Sequence, residues 1–227
     1  MKKVAILLRD NLSITDKKIL SVNKDLNTFL DKYNIIPIYF YITDYNYSKI
    51  KELLDISDGV ILPGGDVFNN NVEKILKYLY LKNIPTLGIC QGMQEIALFC
   101  SGKLGRLNNN NHLSNKEYVH EIIIDEKSKL YKILNKKRIT VNSRHKDYVS
   151  YTKANRAAYS KDYLIEAIEI PSKKFFVGLQ WHPESLYFDV NSNKIFEYFI
   201  STLWYYNNRW EKWVKINMII KNFLKNI

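Results

Sequence analysis

The stretch Thr86-Leu87-Gly88-Ile89-Cys90-Gln91-Gly92-Met93-Gln94 decides how the rest of the chain is read. An apolar run of strand length leads into Cys90, and a segment of helical periodicity follows it. Gly88 and Gly92 stand two residues to either side, giving Gly-x-Cys-x-Gly. This has the form of a nucleophile elbow, in which small neighbours allow a sharp strand-to-helix turn, here with cysteine in place of serine. A thiolate is the reactive form of cysteine, and the N-terminus of a helix and a neighbouring imidazolium both favour it. A buried structural cysteine is the alternative reading of this motif taken alone.

Working outward, strand-length apolar runs alternate with helix-period segments through the first hundred residues. The pattern predicts strands at Val4–Leu8, Ile35–Phe40, Gly59–Leu62 and Pro85–Ile89. It predicts helices at Asp16–Tyr33, Ser48–Leu54, Val72–Leu81 and Gln91–Cys100. Such alternation implies right-handed βαβ units around a parallel sheet, whose ligands bind at the carboxyl ends of the strands. Pro63-Gly64-Gly65 and Cys90 both fall at such ends. The second half is richer in strands, expected at Val119–Ile124, Ile139–Asn142, Leu164–Ile170 and Phe175–Leu179. With no internal repeat and no Pro/Ser linker, residues 1–203 are read as one domain. Residues 204–227 are read as a basic amphipathic C-terminal helix. Packing on its own domain is favoured for that helix over docking to a partner or membrane face.

Near the end of the domain, Gly178-Leu179-Gln180-Trp181-His182-Pro183-Glu184 supplies a histidine and a carboxylate two residues apart after a predicted strand. A base oriented by a carboxylate is what a cysteine nucleophile requires. Together "DGVILPGGD" (58–66), "LGICQGMQ" (87–94) and "VGLQWHPE" (177–184) resemble the class I glutamine amidotransferase superfamily over residues 1–203. The resemblance implies an α/β, flavodoxin-like three-layer sandwich with a mostly parallel central sheet and a cysteine nucleophile elbow. It implies a triad of Cys90, His182 and Glu184, and hydrolysis of a γ-carboxamide through a γ-glutamyl thioester. It implies an oxyanion hole from the backbone N–H groups of Gly65 and Gln91, with Gly64 and Gln94 on the substrate.

"VNSRHKDYV" (141–149) and "IEAIE" (165–169) further resemble the γ-glutamyl hydrolase branch, peptidase C26, which includes γ-glutamyl-γ-aminobutyrate hydrolases. That resemblance places Asn142, Ser143 and His145 at the substrate. Lys146-Asp147 depart from the branch's usual His-Gln, and Gln91 stands where Arg is common. Both departures bear on the leaving group. His112 and His120 lie in the segment before the substrate pocket and receive no catalytic role.

Composition bounds the partners. The chain has 227 residues and a formal net charge of +11. Scattered lysines account for most of that charge, and no nucleic-acid motif accompanies them. The charge tilts the leaving group toward an anion, such as the nucleotide amidate of γ-glutamyl-CDP-amidate. Two cysteines, no signal-like N-terminus and no run of roughly 18 apolar residues lead to the expectation of a cytoplasmic protein without a membrane span. No close-spaced zinc pattern and no P-loop are present, so neither a metal nor another cofactor is expected. The leading reading is a hydrolase acting on a small-molecule γ-glutamyl substrate, with a homodimer left open. The alternative is a glutaminase subunit that delivers ammonia to a separate synthetase.

Overall fold

The computed structural model describes residues 1–12 and 18–203. Nine strands form the main sheet: β1 (Lys2–Leu7), β4 (Ile35–Phe40), β5 (Gly59–Leu62), β6 (Thr86–Ile89), β8 (His120–Ile124), β9 (Arg138–Val141), β11 (Asn155–Ser160), β12 (Ile165–Glu169) and β13 (Phe176–Leu179). Their order is β4-β1-β5-β6-β13-β12-β11-β8-β9. Every pair from β4 to β13 is parallel, and every pair from β13 to β9 is antiparallel. Outside this sheet, β2 (Arg9–Leu12) pairs with β3 (Lys18–Ser21), and β7 (Lys103–Arg106) with β10 (Asp147–Tyr151).

Helices α1 (Lys24–Lys32), α2 (Tyr47–Asp55), α3 (Val72–Lys82), α4 (Gln91–Phe99) and α5 (Lys129–Leu134) cover the sheet. Residues 190–203 are helical as well. Strand β1 explains the layering. Val4 and Ile6 enter one apolar cluster with Leu26, Phe29, Phe196 and Phe199. Ala5 and Leu7 enter a second, on the opposite face, with Ile75, Leu79, Met93 and Ile96. A parallel strand buried on both faces reads as a continuous apolar run for this reason. Phe29 stacks on Phe196 with centroids 3.9 Å apart, and truncating such a ring to Ala costs about 3–5 kcal/mol.

The helix expected over Asp16–Tyr33 is corrected. It starts only at Lys24, capped by Asn23 Oδ1, which accepts from the Asp25 N–H at 3.0 Å. Ile19 and Leu20, counted toward its apolar face, lie in β3 and are about two-fifths exposed. The short strands β7, β10 and β11 have no counterpart among the expected elements. The expected C-terminal helix at 204–227 lies outside the described residues.

Candidate active site

Register brings three chain segments to one edge of the sheet. Leu62 of β5 pairs with Gly88 of β6, and Ile89 of β6 pairs with Leu179 of β13. The strands therefore end level, and Pro63-Gly64-Gly65, Cys90 and Gln180-Trp181-His182 leave side by side. The Cys90 N–H donates to the Leu179 carbonyl at 2.7 Å, tying the elbow to the histidine strand.

Cys90 has φ 51° and ψ −106°, a backbone conformation that side-chain-bearing residues rarely adopt. The turn is held by close packing of α4 on the sheet. A Cβ at Gly92 would run into the Leu62 carbonyl, and one at Gly88 would meet the Gly92 backbone. The glycines of Gly-x-Cys-x-Gly thus let the first turn of α4 lie against β5 and β6. Cys90 and Cys100 are both free thiols. Burial raises the pKa of Cys100.

His182 Nδ1 lies 2.7 Å from Glu184 Oε1, and the ring's other edge meets the Cys90 thiol. Pro183 begins a single 3-10 turn, Pro183–Ser185, which folds Glu184 back beneath the imidazole. Glu184 is buried, and its Oε2 has no hydrogen-bond partner among the described residues. Burial opposes a charge on His182. The Glu184 carboxylate and the Cys90 side chain outweigh it and raise the ring's pKa to about 10. An imidazolium beside the sulfur is the state a thiolate nucleophile needs.

Gly64 lies against this pair. A Cβ built there would stand 2.8 Å from His182 Cε1 and 3.5 Å from Cys90 Cβ. Gly65 lies against the Gln91 side chain and Arg9. As the first residue of α4, Gln91 has an N–H without an intrahelical acceptor. The backbone at Gly64 therefore lies beside Cys90 and His182, and that at Gly65 beside the first residue of α4. Gln91 Nε2 donates to the Val67 carbonyl at 2.7 Å, so its side chain braces the 63–67 loop.

Gln94 does not face solvent. Its Nε2 donates to the Asp147 carbonyl at 2.8 Å and to Gln180 Oε1 at 3.3 Å. Asn142 and Ser143 have no exposed surface. Asn142 spends its amide on the His182 backbone, donating to the carbonyl and accepting from the N–H, both at 2.7 Å. Ser143 donates to the His112 carbonyl at 2.9 Å. Asn142 and Ser143, expected at the substrate, thus have these polar atoms hydrogen-bonded within the protein. His145 Nε2 stands 3.9 Å from Glu166 Oε1.

Two further features carry weight here. Gln180 Nε2 points at Cys90 Sγ from 3.6 Å, a donor aimed at the sulfur. Gln180 sits inside the histidine motif, so its position was legible there. Arg9 was not. It is buried and grips Glu95 of α4 with two contacts, at 2.6 and 2.8 Å. It also donates twice to the Pro63 carbonyl, at 3.0 and 2.7 Å. Burial raises the pKa of Glu95 against the opposing pull of the guanidinium. Nothing local in the sequence links positions 9, 63 and 95.

The family Peptidase C26 matches residues 70–184. A GMP synthase (glutamine-hydrolyzing) of Chlamydia caviae is 30% identical over 210 residues, covering 88% of this chain and 38% of that protein. A CTP synthase of Lactobacillus johnsonii is 29% identical over 195 residues, covering 69% of this chain and 36% of that protein. The chain thus spans little more than a third of the length of these relatives. Among solved structures, the glutaminase domain of a CTP synthase from Trypanosoma brucei superposes with a TM-score of 0.65 at 16% identity, covering 89% of this chain and 94% of that one. A putative GMP synthase component from Thermoplasma acidophilum superposes with a TM-score of 0.71 at 20% identity, covering 93% of this chain and 98% of that one. No helix among the described residues is long and apolar enough to cross a membrane.

Proposed function

The chain belongs to the Peptidase C26 family, within the class I glutamine amidotransferases, and from that premise we propose a cysteine-dependent hydrolase that cleaves a γ-glutamyl amide. The observation that carries this reading is the pairing of Cys90, at a strained elbow, with a histidine whose other nitrogen is held by a buried carboxylate.

In this reading Cys90 Sγ attacks the γ-carbonyl carbon. The carbonyl π electrons move to oxygen, and the oxyanion accepts from the N–H groups of Gly65 and Gln91. As the tetrahedral adduct collapses, the C–N bond breaks and the His182 imidazolium gives its proton to the departing amine. A γ-glutamyl thioester remains. His182, now neutral, takes a proton from water. The hydroxide adds to the thioester carbon, the C–S bond breaks, and glutamate leaves. Glu184 keeps the ring oriented throughout and does not itself exchange a proton. Asn142 fixes the His182 backbone, and Arg9 fixes Pro63 at the start of the oxyanion loop.

The first test is glutamate release by the purified chain, wild type beside Cys90→Ala, from glutamine and a panel of γ-glutamyl amides that includes nucleotide amidates. Cys90-dependent cleavage, with a γ-glutamyl adduct on Cys90 by mass spectrometry, is the expected result. No cleavage and no adduct on any substrate would overturn it. The likeness to the synthases favours a second reading, in which the substrate is glutamine and ammonia passes to a separate synthetase. Slow glutamine turnover, with the other amides ignored, would select it.

A further inference from the structure

Three of the chain's four histidines gather around one carboxylate, although they come from separate segments. His112 lies in the loop after β7, His120 opens β8, and His145 follows β9. Glu166 of β12 sits at the centre with no exposed surface. His112 Nδ1 and His120 Nε2 are each 3.6 Å from Glu166 Oε1, and His145 Nε2 is 3.9 Å from it. One ligand atom each from His112, His120 and Glu166 falls within 4.8 Å of the others.

The far nitrogen of every ring is directed to an oxygen acceptor. His112 Nε2 meets the Asp162 carboxylate at 2.9 Å, and His145 Nδ1 the Asp147 carbonyl at 3.1 Å. His120 Nδ1 faces the Glu121 carbonyl at 3.5 Å. With the N–H on those nitrogens, the three rings turn lone pairs toward Glu166. Both Glu166 oxygens, His120 Nε2 and His145 Nε2 are buried and lack a hydrogen-bond partner among the described residues. Ser143 Oγ, 3.4 Å from His112 Nδ1, gives its proton to the His112 carbonyl at 2.9 Å, so a buried carboxylate is left facing imidazole lone pairs, an arrangement that costs several kcal/mol unless something positive enters.

We propose that His112, His120, His145 and Glu166 form a closed binding site for a zinc-class divalent transition-metal ion. Zinc holds nitrogen and oxygen ligands at about 2.0–2.2 Å, so atoms sharing one ion stand roughly 3.3–3.6 Å apart, close to the distances of His112 Nδ1 and His120 Nε2 from Glu166 Oε1, with His145 Nε2 a little farther out and drawn in by the ion. Imidazole outward-bonded to a carboxylate or a carbonyl is the usual support of such ligands. Charge also balances: Glu166 and Asp162 together offset a dication. Four protein ligands leave no open position, which makes the site structural rather than hydrolytic. It braces the active site at one remove. His145 and Asn142 lie on one short segment, and Asn142 clamps His182. The same segment supplies Asp147, whose carbonyl holds Gln94. Spacing along the chain gives no hint of this site, because its ligands come from four separate segments.

The test uses the full chain purified without a histidine tag. Elemental analysis after exhaustive desalting is expected to give about one zinc-class ion per chain. Cobalt substitution should give the strong visible absorption of a tetrahedral site. Glu166→Gln and His120→Ala should lose that ion while the Cys90 thiol count stays unchanged. Should either variant fail to fold, wild type stripped with a chelator decides. Its melting temperature should rise by several degrees on adding Zn²⁺, and X-ray absorption of the refilled site should show imidazole ligands. A folded, metal-free wild type that takes up none of Zn²⁺, Co²⁺, Fe²⁺, Mn²⁺, Ni²⁺ or Cu²⁺ would overturn the proposal and leave Glu166 as a protonated carboxyl donating to one ring. So would a folded Glu166→Gln that keeps its full metal content.

Discussion

Replacing Glu184 by Gln tests the charge on His182 with little change in shape. The ring's pKa stands at about 10 against an ordinary value of 6.5. That difference corresponds to roughly 5 kcal/mol favouring the imidazolium. Burial works against the charge, so Glu184 and Cys90 together supply more than the net figure. Glu184 is the larger contributor of the two. Assigning it about half or more puts the loss on substitution at roughly 3–4 kcal/mol, or about 10²–10³ in the ratio of imidazolium to imidazole. The assay need not wait for the substrate. In a Cys100→Ala background Cys90 is the one thiol left, and its alkylation by iodoacetamide reports the nucleophile directly. The Glu184→Gln chain should alkylate more slowly than its parent, and the His182 ring, followed by NMR, should lose its charge about 2–3 pH units lower than in the parent. Amide hydrolysis should fall at least as far, since the same proton goes to the leaving amine. A His182 titration unchanged by the substitution would refute the argument.

The same linkage predicts a pH dependence of stability. His182 has a folded pKa above its unfolded value, so its contribution is complete below pH 6.5 and is lost as pH rises through about 10. Urea unfolding of the parent should weaken across that window, by an amount on the order of several kcal/mol, whereas Glu184→Gln should stay comparatively flat. Arg9→Met removes one partner of a buried ion pair and should cost about 3–5 kcal/mol in urea unfolding, whereas Arg9→Met with Glu95→Leu should recover most of that stability but not activity. Equal stability of the single and double variants would contradict this. Gly64→Ala puts a methyl 2.8 Å from His182 Cε1 and should cut kcat sharply with the melting temperature within a few degrees of the parent. Asn142→Ala frees the His182 backbone and leaves two buried groups unpaired. It should lower kcat about 10–100-fold with KM nearly unchanged, and a change confined to KM would instead put Asn142 on the substrate.

What the sequence disclosed follows from how far each signal reaches along the chain. The parallel half of the sheet was legible because β5, β6 and β13 are buried on both faces and read as unbroken apolar runs. The residues brought to the sheet edge were legible because each belongs to a local motif: the glycines around Cys90, Pro63-Gly64-Gly65, and His182-Pro183-Glu184. The β2–β3 hairpin misled because Ile19 and Leu20 fall at helical spacing with Leu26 and Phe29, although Asn23 caps the true helix start between them. Strands β7 and β10 pair in a small sheet of their own and are only partly buried, so neither shows a clean alternation.

The interactions that support the site were hidden for a different reason. Arg9–Glu95 joins residues 86 positions apart, and Asn142–His182 joins residues 40 apart. The Glu166 cluster joins four segments through side chains alone. A lone buried polar residue looks out of place in any single segment, and its partner becomes visible only when the sheet is assembled. Glu166 is the sharpest case, a carboxylate near the start of Ile165–Glu169, a strand buried along its whole length. An acid in such a run needs a compensating charge or a proton wherever the fold delivers it, and this fold delivers three imidazoles. The polar residues that interrupt apolar strands are therefore where tertiary chemistry is to be sought, and here they lead from the strands that build the sheet to the groups that hold His182 in place.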